Sequence, residues 1–232
     1  METILILHGW GSSAQKWSRV KEILNRQGLR VIAPDLPGFG ENPPPNEPWL
    51  IDDYVEWVKN FSQGFAPFFL LGHSFGGRIA IKFVLKYPEM VLGLILAGAP
   101  AIKSKKQSDV KNFVFKIFAR FSFLPFYQFL RKIFYLYFLR KTDYIRLKDE
   151  AMIGTFKKII SEDLSSYLPQ IKTKTLVLWG EKDDYAPVKM AGLIKEKIVN
   201  SKLVIFPNVK HSPYLEIPEK LAEVIIEFLR KL

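Results

Sequence analysis

Short apolar runs alternate with amphipathic stretches along most of the chain. Helical patterns occupy the stretch up to Gln27, the segment Arg78–Lys86 and the closing segment from Pro218 to Lys231. Strands that alternate with helices form a parallel sheet covered on both faces. We therefore expect an α/β fold with a mainly parallel sheet of about six strands. The predicted strands are Ile4–Leu7, Arg30–Ala33, Phe68–Leu71, Leu92–Ala97, Thr175–Trp179 and Leu203–Phe206.

The stretch from about Lys103 to Pro169 interrupts this alternation. Apolar residues recur there at helical spacing, first from Val110 to Phe121 and then from Phe126 to Phe138. Two amphipathic helices between strands indicate an insertion that covers the sheet. The expected organisation is a core domain of residues 1–100 and 170–232 with a helical cap of residues 101–169.

Charge is concentrated in the same stretch. The chain has a net charge of +11, and the segment Ala101–Lys148 holds twelve basic and two acidic residues. A basic surface attracts acidic proteins, anionic lipid or nucleic acid, although a solvated lysine-rich face is the commoner explanation. No nucleic-acid-binding motif accompanies the cluster, so a nucleic-acid partner is not expected.

Several classes of protein are excluded by composition. The chain contains no cysteine, which excludes disulfide scaffolds, thiolate metal sites and a cysteine nucleophile. Its N-terminus lacks the basic segment of a signal peptide. The uncharged stretch Phe121–Leu130 is far shorter than the ~20 apolar residues of a membrane span. A cytoplasmic location is therefore expected.

The segment Gly72-His73-Ser74-Phe75-Gly76 directly follows a predicted strand and precedes a predicted helix. It matches the G-x-S-x-G nucleophile elbow in its required strand–turn–helix context. The glycines are needed because the turn is sharp and a side chain at either position would clash with neighbouring backbone. Such a turn presents the Ser74 hydroxyl at the carboxyl end of the sheet, where open α/β folds bind ligands.

A serine hydroxyl needs a base to become a nucleophile, and the chain offers three histidines. His73 adjoins Ser74, and its side chain is expected to point away from the elbow. His8 lies in a turn after the first strand, where a second role fits better. His211 lies in the loop between the last strand and the last helix, and it is the remaining candidate for the general base.

The base needs a carboxylate that holds its tautomer. The strand Thr175–Trp179 is followed by a turn that contains Glu181, Asp183 and Asp184. Asp183 is the preferred candidate, but spacing alone does not dismiss the other two. The chain order Ser, Asp, His matches this architecture.

Two preorganised donors are expected to bind the oxyanion of an acyl-transfer intermediate. One is the backbone N–H of Phe75, the residue after the nucleophile. The other is the backbone N–H of Trp10, in the loop after the first strand. Gly9 and Gly11 flank Trp10 and let the backbone approach the site closely.

Together these motifs resemble the α/β-hydrolase superfamily, and serine carboxylesterases with a helical cap in particular. In the family's WGxxD pattern the aspartate is the catalytic acid, which favours Asp183. The family's histidine motif places the base at His211, and Asp35 matches a position usually interpreted as structural. The matching segments are HGWG at 8–11, DLPGFG at 35–40, GHSFGG at 72–77, WGEKDD at 179–184 and KHSPYLEIPEKL at 210–221.

The resemblance implies hydrolysis of carboxylic esters through an acyl-enzyme, with no cofactor. Family members commonly carry two strands before the HG loop, so a reduced sheet is expected here. Ser74 argues against the dehalogenases and epoxide hydrolases of the family, which use an aspartate nucleophile. Carbon–carbon bond hydrolases of ring-fission products keep the serine triad and stay open. The intact set of Ser74, Asp183 and His211 argues against a non-catalytic receptor.

The substrate is less well defined. An aromatic insertion suggests short to medium acyl or aryl esters. The segments at 8–11 and 35–40 also resemble the methyl esterases that act on pimeloyl groups linked to acyl carrier protein. An acidic carrier would dock on the basic insertion, and an anionic membrane surface is a second possible partner. Reversing the charge of basic residues in this insertion is expected to weaken such docking. The residues to reverse are Arg131, Lys132, Arg140 and Lys141.

Overall fold

The computed structural model describes residues 1–102 and 149–232. Within these ranges one sheet has the strand order β2-β1-β3-β4-β5-β6, and every neighbouring pair is parallel. The prediction of an α/β fold with a parallel sheet of six strands is therefore confirmed. The strands are β1 (Thr3–Leu7), β2 (Arg30–Ile32), β3 (Phe68–His73), β4 (Val91–Ala97), β5 (Thr175–Gly180) and β6 (Ser201–Phe206).

Helices connect the strands as the sequence pattern requires, and four of those in the described ranges were not predicted. The described helices are α1 (Ser18–Arg26), α2 (Ile51–Ser62), α3 (Phe75–Lys86), α4 (Glu150–Ser161), α5 (Lys189–Lys197), α6 (Pro213–Glu216) and α7 (Pro218–Leu229). The additional helices are α2, α4, α5 and the short α6. None of the helices in the described ranges is long and apolar enough to cross a bilayer. The two helices predicted within residues 110–138 lie outside the described residues, so the division into core and cap stays a prediction.

Alternation along the strands divides the interior into two apolar layers. In β1, Leu5 and Leu7 point to the layer that packs against α2, α3 and α5, while Ile4 and Ile6 point to the layer under α1 and α7. Side chains of a strand alternate between faces, so a strand buried on both sides is apolar at every position. This explains why central strands such as β1 and β3 are nearly continuous apolar runs in the sequence.

The order of the strands creates a crevice at one edge of the sheet. The chain passes from β1 through α1 to β2 on one side, and β3 then pairs with β1 on the other side. Ligands of open parallel sheets bind outside the carboxyl ends of the strands where the direction of winding reverses. The loops that follow β1 and β3, which contain Trp10 and Ser74, meet there.

Candidate active site

Ser74 alone separates β3 from α3, and its backbone has φ 50° and ψ −110°. This conformation costs on the order of 1–3 kcal/mol for a residue with a side chain, so its surroundings must impose it. Three backbone hydrogen bonds do so: Ser74 N–H donates to the Ala97 carbonyl, Gly76 N–H to the His8 carbonyl, and Gly77 N–H to the Ser74 carbonyl. The turn is therefore fastened to β1 and β4.

Two glycines make this turn possible through close backbone contact. A Cβ at Gly72 would lie 2.4 Å from the Gly76 carbonyl oxygen, and a Cβ at Gly76 would lie 2.1 Å from the Leu7 carbonyl oxygen. Both distances are far below van der Waals contact with backbone atoms that cannot rotate away. The expected reason for glycine at these positions thus agrees with the packing.

Gly76→Ala is expected to lower the free energy of unfolding by at least about 2 kcal/mol, because the new methyl group must push β1 and α3 apart. The measurement is urea unfolding followed by circular dichroism. Gly192→Ala is the control, since Gly192 lies in α5 and a Cβ there meets nothing within 4 Å. That substitution is expected to stabilise the protein by up to about 1 kcal/mol. Equal stability of the two variants would contradict the prediction.

His211 and Asp183 form a directly hydrogen-bonded pair. His211 Nδ1 lies 2.7 Å from Asp183 Oδ2, and the Asp183 side chain is 1% exposed against 16% for His211. The carboxylate accepts from Nδ1–H, so Nε2 carries the lone pair. The imidazole is therefore in the tautomer that a general base needs.

The second oxygen of Asp183 has its own partners. Oδ1 accepts hydrogen bonds from the backbone N–H groups of Tyr185 at 2.9 Å and Ala186 at 2.8 Å. The competing carboxylates lie elsewhere, since Asp184 is exposed and Glu181 accepts from the backbone N–H of Asn208. Of the three acids that follow β5, Asp183 is thus the one paired with His211.

His73 packs under the loop that carries His211. Its Nε2–H donates to the His211 backbone carbonyl at 2.8 Å, and its ring contacts Trp17 and Tyr214. Burial lowers the pKa of His73 to about 3, and the nearby His211 ring lowers it as well. His73 is therefore a neutral residue that supports the His211 backbone, a role that spacing in the sequence did not reveal.

The depressed pKa of His73 predicts a dependence of stability on pH. The unfolded chain takes up a proton near pH 6.5, whereas the folded protein does so only near pH 3. The free energy of unfolding is therefore expected to fall as the pH drops below 6.5, by about 2 kcal/mol from this group at pH 5. The measurement is urea unfolding at pH 7.5 and pH 5. In His73→Gln the difference in the free energy of unfolding between the two pH values should be smaller by about 2 kcal/mol. An unchanged difference in the variant would rule the assignment out.

His8 is also buried and has a structural environment. The His8 Nδ1–H donates to the Gly9 carbonyl at 2.8 Å, and Nε2 accepts from the Leu36 backbone N–H at 3.0 Å. Burial lowers the pKa of His8, in keeping with a neutral ring. Asp35 accepts from the backbone N–H groups of Ala14 and Glu41. Both side chains therefore hold the loops beside the site in place.

The two candidate oxyanion donors lie on the loops that meet at the crevice. Neither the Trp10 nor the Phe75 backbone N–H has a backbone acceptor among the described residues. Phe75 N–H is free of intrahelical partners because it opens α3. Their aromatic rings pack against each other, with centroids 5.3 Å apart. Both donors are thus available to a ligand beside Ser74.

Ser74, His211 and Trp10 line a common cavity of about 430 Å³. Phe156, Ile159 and Ile160 of α4 form an apolar wall, and Phe156 packs against Trp10 with ring centroids 5.1 Å apart. The charged residues that line the cavity are basic ones, Lys16 and Arg78, among the described residues. No group of three potential metal ligands occurs in the described part of the chain.

An open parallel sheet with a serine at its elbow and a histidine–aspartate pair beside it defines a hydrolase of the α/β class. Residues 4–224 match the sequence model of the alpha/beta hydrolase family. The chain therefore belongs to the alpha/beta hydrolase family.

Known proteins similar to this chain include hydrolases of two kinds. The pimeloyl-[acyl-carrier protein] methyl ester esterase of Wigglesworthia glossinidia brevipalpis is 29% identical over 98% of this chain and 93% of its own length. The 2-hydroxy-6-oxo-6-phenylhexa-2,4-dienoate hydrolase of Comamonas testosteroni is 26% identical over 99% of this chain and 88% of its own. An esterase structure from Exiguobacterium antarcticum covers 99% of this chain and 92% of its own, with a TM-score of 0.77 at 24% identity, which supports the fold.

Proposed function

We propose that this hydrolase cleaves carboxylic esters of short to medium acyl or aryl groups through an acyl-enzyme intermediate. The observation that carries the proposal is the hydrogen-bonded pair of His211 and Asp183 in the same cavity as Ser74. A nucleophile, a base and an acid in this arrangement support acyl transfer.

The proposed mechanism assigns one role to each group. His211 Nε2 takes the Ser74 proton as the hydroxyl attacks the ester carbonyl. Asp183 stabilises the imidazolium that forms, and the backbone N–H groups of Trp10 and Phe75 bind the oxyanion. His211 then protonates the leaving alcohol, and a water molecule repeats the cycle on the acyl-enzyme. This chemistry needs no cofactor.

The size and lining of the cavity support a modest apolar acyl or aryl group. Its volume of about 430 Å³ falls within the range of small-molecule sites. The wall of α4 is apolar at Phe156, Ile159 and Ile160, while Ser74 and His211 lie among the polar groups of the cavity. An acyl chain can contact this wall while its carbonyl lies beside Ser74.

The first experiment is hydrolysis of p-nitrophenyl esters with acyl chains of increasing length. We expect turnover by the wild-type protein, with an optimum at a short to medium chain. If the folded protein turns over no member of the series, the proposal of simple ester hydrolysis is wrong. The result would then favour one of three other functions: carbon–carbon bond hydrolysis, hydrolysis of a carrier-linked ester, or a non-catalytic receptor role.

A carrier-linked methyl ester is the second candidate, supported by the similarity to pimeloyl-[acyl-carrier protein] methyl ester esterases. The basic segment Ala101–Lys148 offers charge for an acidic carrier. We expect faster turnover of a carrier-linked methyl ester than of the free ester, a loss of this advantage at high salt, and a similar loss when Arg131, Lys132, Arg140 and Lys141 are reversed in charge. Equal rates that do not depend on salt would end this candidate.

Two other candidates have direct tests. Similarity to 2-hydroxy-6-oxo-6-phenylhexa-2,4-dienoate hydrolases supports carbon–carbon bond cleavage, which the loss of absorbance of a ring-fission dienoate would detect. A membrane-surface role of the basic segment predicts flotation with anionic vesicles at low salt. No binding under those conditions would exclude it.

A further inference from the structure

Arg78 is a buried arginine that no catalytic step uses. It lies in α3, one helical turn after Ser74, is 7% exposed, and lines the cavity. A buried guanidinium must find acceptors for its N–H groups or lose stability. Its environment therefore indicates what the residue does.

Among the described residues, the hydrogen-bond acceptors of the Arg78 side chain are backbone carbonyls. Nη2 donates to the carbonyls of Ile159 at 2.9 Å and Glu162 at 2.6 Å, and Nη1 donates to the carbonyl of Pro100. Ile159 lies in the last turn of α4, Glu162 directly follows α4, and Pro100 lies in the loop after β4. One side chain thus joins the helix that follows the nucleophile to two segments that are distant in sequence.

The end of α4 benefits from this contact in two ways. Carbonyls at the end of a helix lack a full set of intrahelical donors, and the helix dipole places partial negative charge there. The Ile159 carbonyl accepts from the Glu162 backbone N–H only at 3.3 Å. Burial lowers the pKa of Arg78 to about 10, so the guanidinium stays charged at neutral pH. A cation that donates to these carbonyls satisfies both the hydrogen bonds and the charge of the helix end.

The same helix carries a wall of the cavity. Phe156, Ile159 and Ile160 line it, and the Phe156 ring rests on Trp10, whose backbone N–H is a proposed oxyanion donor. Any shift of α4 relative to α3 therefore changes the distance between Ser74 and the surface that an acyl chain would contact.

We propose that Arg78 is a positioning residue that fixes α4 against the nucleophile helix and thereby sets the length of acyl chain that the cavity accepts. The proposal rests on the proposed ester hydrolysis and names a determinant of its specificity. Lysine is expected to replace arginine only in part, because its ammonium is a point donor, whereas the planar guanidinium presents several N–H groups at fixed angles.

The kinetic test uses Arg78→Met and Arg78→Lys with the p-nitrophenyl ester series. An acyl chain that contacts the wall makes the same contact in the ground state and the transition state, and losing it raises KM and leaves kcat little changed. We expect Arg78→Met to raise KM about tenfold for the preferred chain length, with kcat and the hydrolysis of the acetate ester changed less than about threefold. The KM of Arg78→Lys should lie between those of the wild type and Arg78→Met, because lysine keeps the positive charge at the end of α4.

Lys82→Met is the matched control. Lys82 lies on α3 one turn after Arg78 and donates to Glu162 Oε1 at 2.8 Å and to Asp52, but it does not line the cavity. The substitution Lys82→Met therefore removes a charged contact between the same segments without changing a residue that lines the cavity. We expect reduced stability and an unchanged preference for chain length. The same shift of preference in Lys82→Met and Arg78→Met would overturn the proposal, because general loosening would explain both.

Hydrogen–deuterium exchange provides a readout that does not require turnover. Peptides from α4 should exchange faster in both Arg78 variants than in the wild type and Lys82→Met, whereas peptides from α2 should not. Unchanged exchange in α4 would refute the positioning role even if the protein is an esterase. If the wild type hydrolyses no ester but α4 responds as expected, the proposed function fails and the structural link stands, while its assigned effect on specificity is rejected.

A double-mutant cycle tests whether Arg78 acts through the wall. Phe156→Ala removes the largest of the three side chains of the wall, so adding Arg78→Met to it should raise KM by clearly less than the tenfold expected in the wild-type background. Full additivity of the two substitutions would show that Arg78 influences the substrate by another route and would reject the proposal.

Discussion

Ser74→Ala is expected to abolish ester hydrolysis, with a fall in kcat of about 10⁶-fold. No other group on this turn can form the acyl-enzyme, because the chain lacks cysteine and the residues that flank Ser74 are His73 and Phe75. Alanine keeps the Cβ of serine, so the backbone at φ 50° is no more strained than before. The measurement is hydrolysis of the best p-nitrophenyl ester by wild type and variant purified in parallel.

Loss of activity must be separated from loss of structure. Ser74→Ala should keep the far-ultraviolet circular dichroism and urea midpoint of the wild type. An alkyl phosphonate should form a covalent adduct with the wild type at Ser74 and none with the variant. Adducts at another residue, or a variant that keeps a tenth of the activity, would exclude Ser74 as the nucleophile.

Asp183→Asn is expected to lower kcat by about 10⁴-fold while leaving the fold intact. The reason lies in the partners of the other oxygen. Tyr185 and Ala186 donate backbone N–H groups to Oδ1, so the amide oxygen of asparagine must occupy that position. The amide nitrogen then faces His211 Nδ1 and donates to it. The imidazole proton is thereby moved to Nε2, which can no longer accept the proton of Ser74.

The neighbouring acids supply matched controls for Asp183→Asn. Asp184→Asn and Glu181→Gln make the same change of charge at exposed positions of the same turn. We expect each to retain activity within about threefold of the wild type, since exposed charges interact weakly. If Asp184→Asn lowers kcat as much as Asp183→Asn does, the assignment of the acid is wrong.

Much of the sheet could be predicted because the central strands β1, β3, β4 and β5 are buried on both faces, whereas the edge strands β2 and β6 are partly exposed. Residues such as Ile4, Leu70 and Ile95 lie in continuous apolar runs, and the bounds of the predicted strands agree with the structure to within a few residues. The helix α2 was missed although it carried a signal. Its buried residues follow the spacing of an amphipathic helix: Ile51, Tyr54, Val55 and Val58.

The site divides in a similar way. Ser74 could be proposed from a local motif, because the turn requires glycines at fixed positions. Asp183 could not be separated from Asp184 by spacing, since the choice depends on which carboxylate faces a histidine from a different loop. The contacts of Arg78 had no local signal, because its acceptors belong to residues far along the chain. Tertiary contacts of this kind leave no periodic pattern.

The hydrogen bond from Leu164 N–H to the Ala101 carbonyl, at 2.9 Å, joins the two sides of the segment between β4 and β5. When the ends of a segment are held together, doubling its length adds only about 0.6 kcal/mol of closure entropy. Changes of length in this segment that leave α4 in place are therefore expected to cost the sheet little closure entropy. Evolution can therefore change which substrates reach the proposed catalytic groups while the groups themselves stay the same. Replacing this segment with the corresponding segment of a relative is a practical route to new substrates.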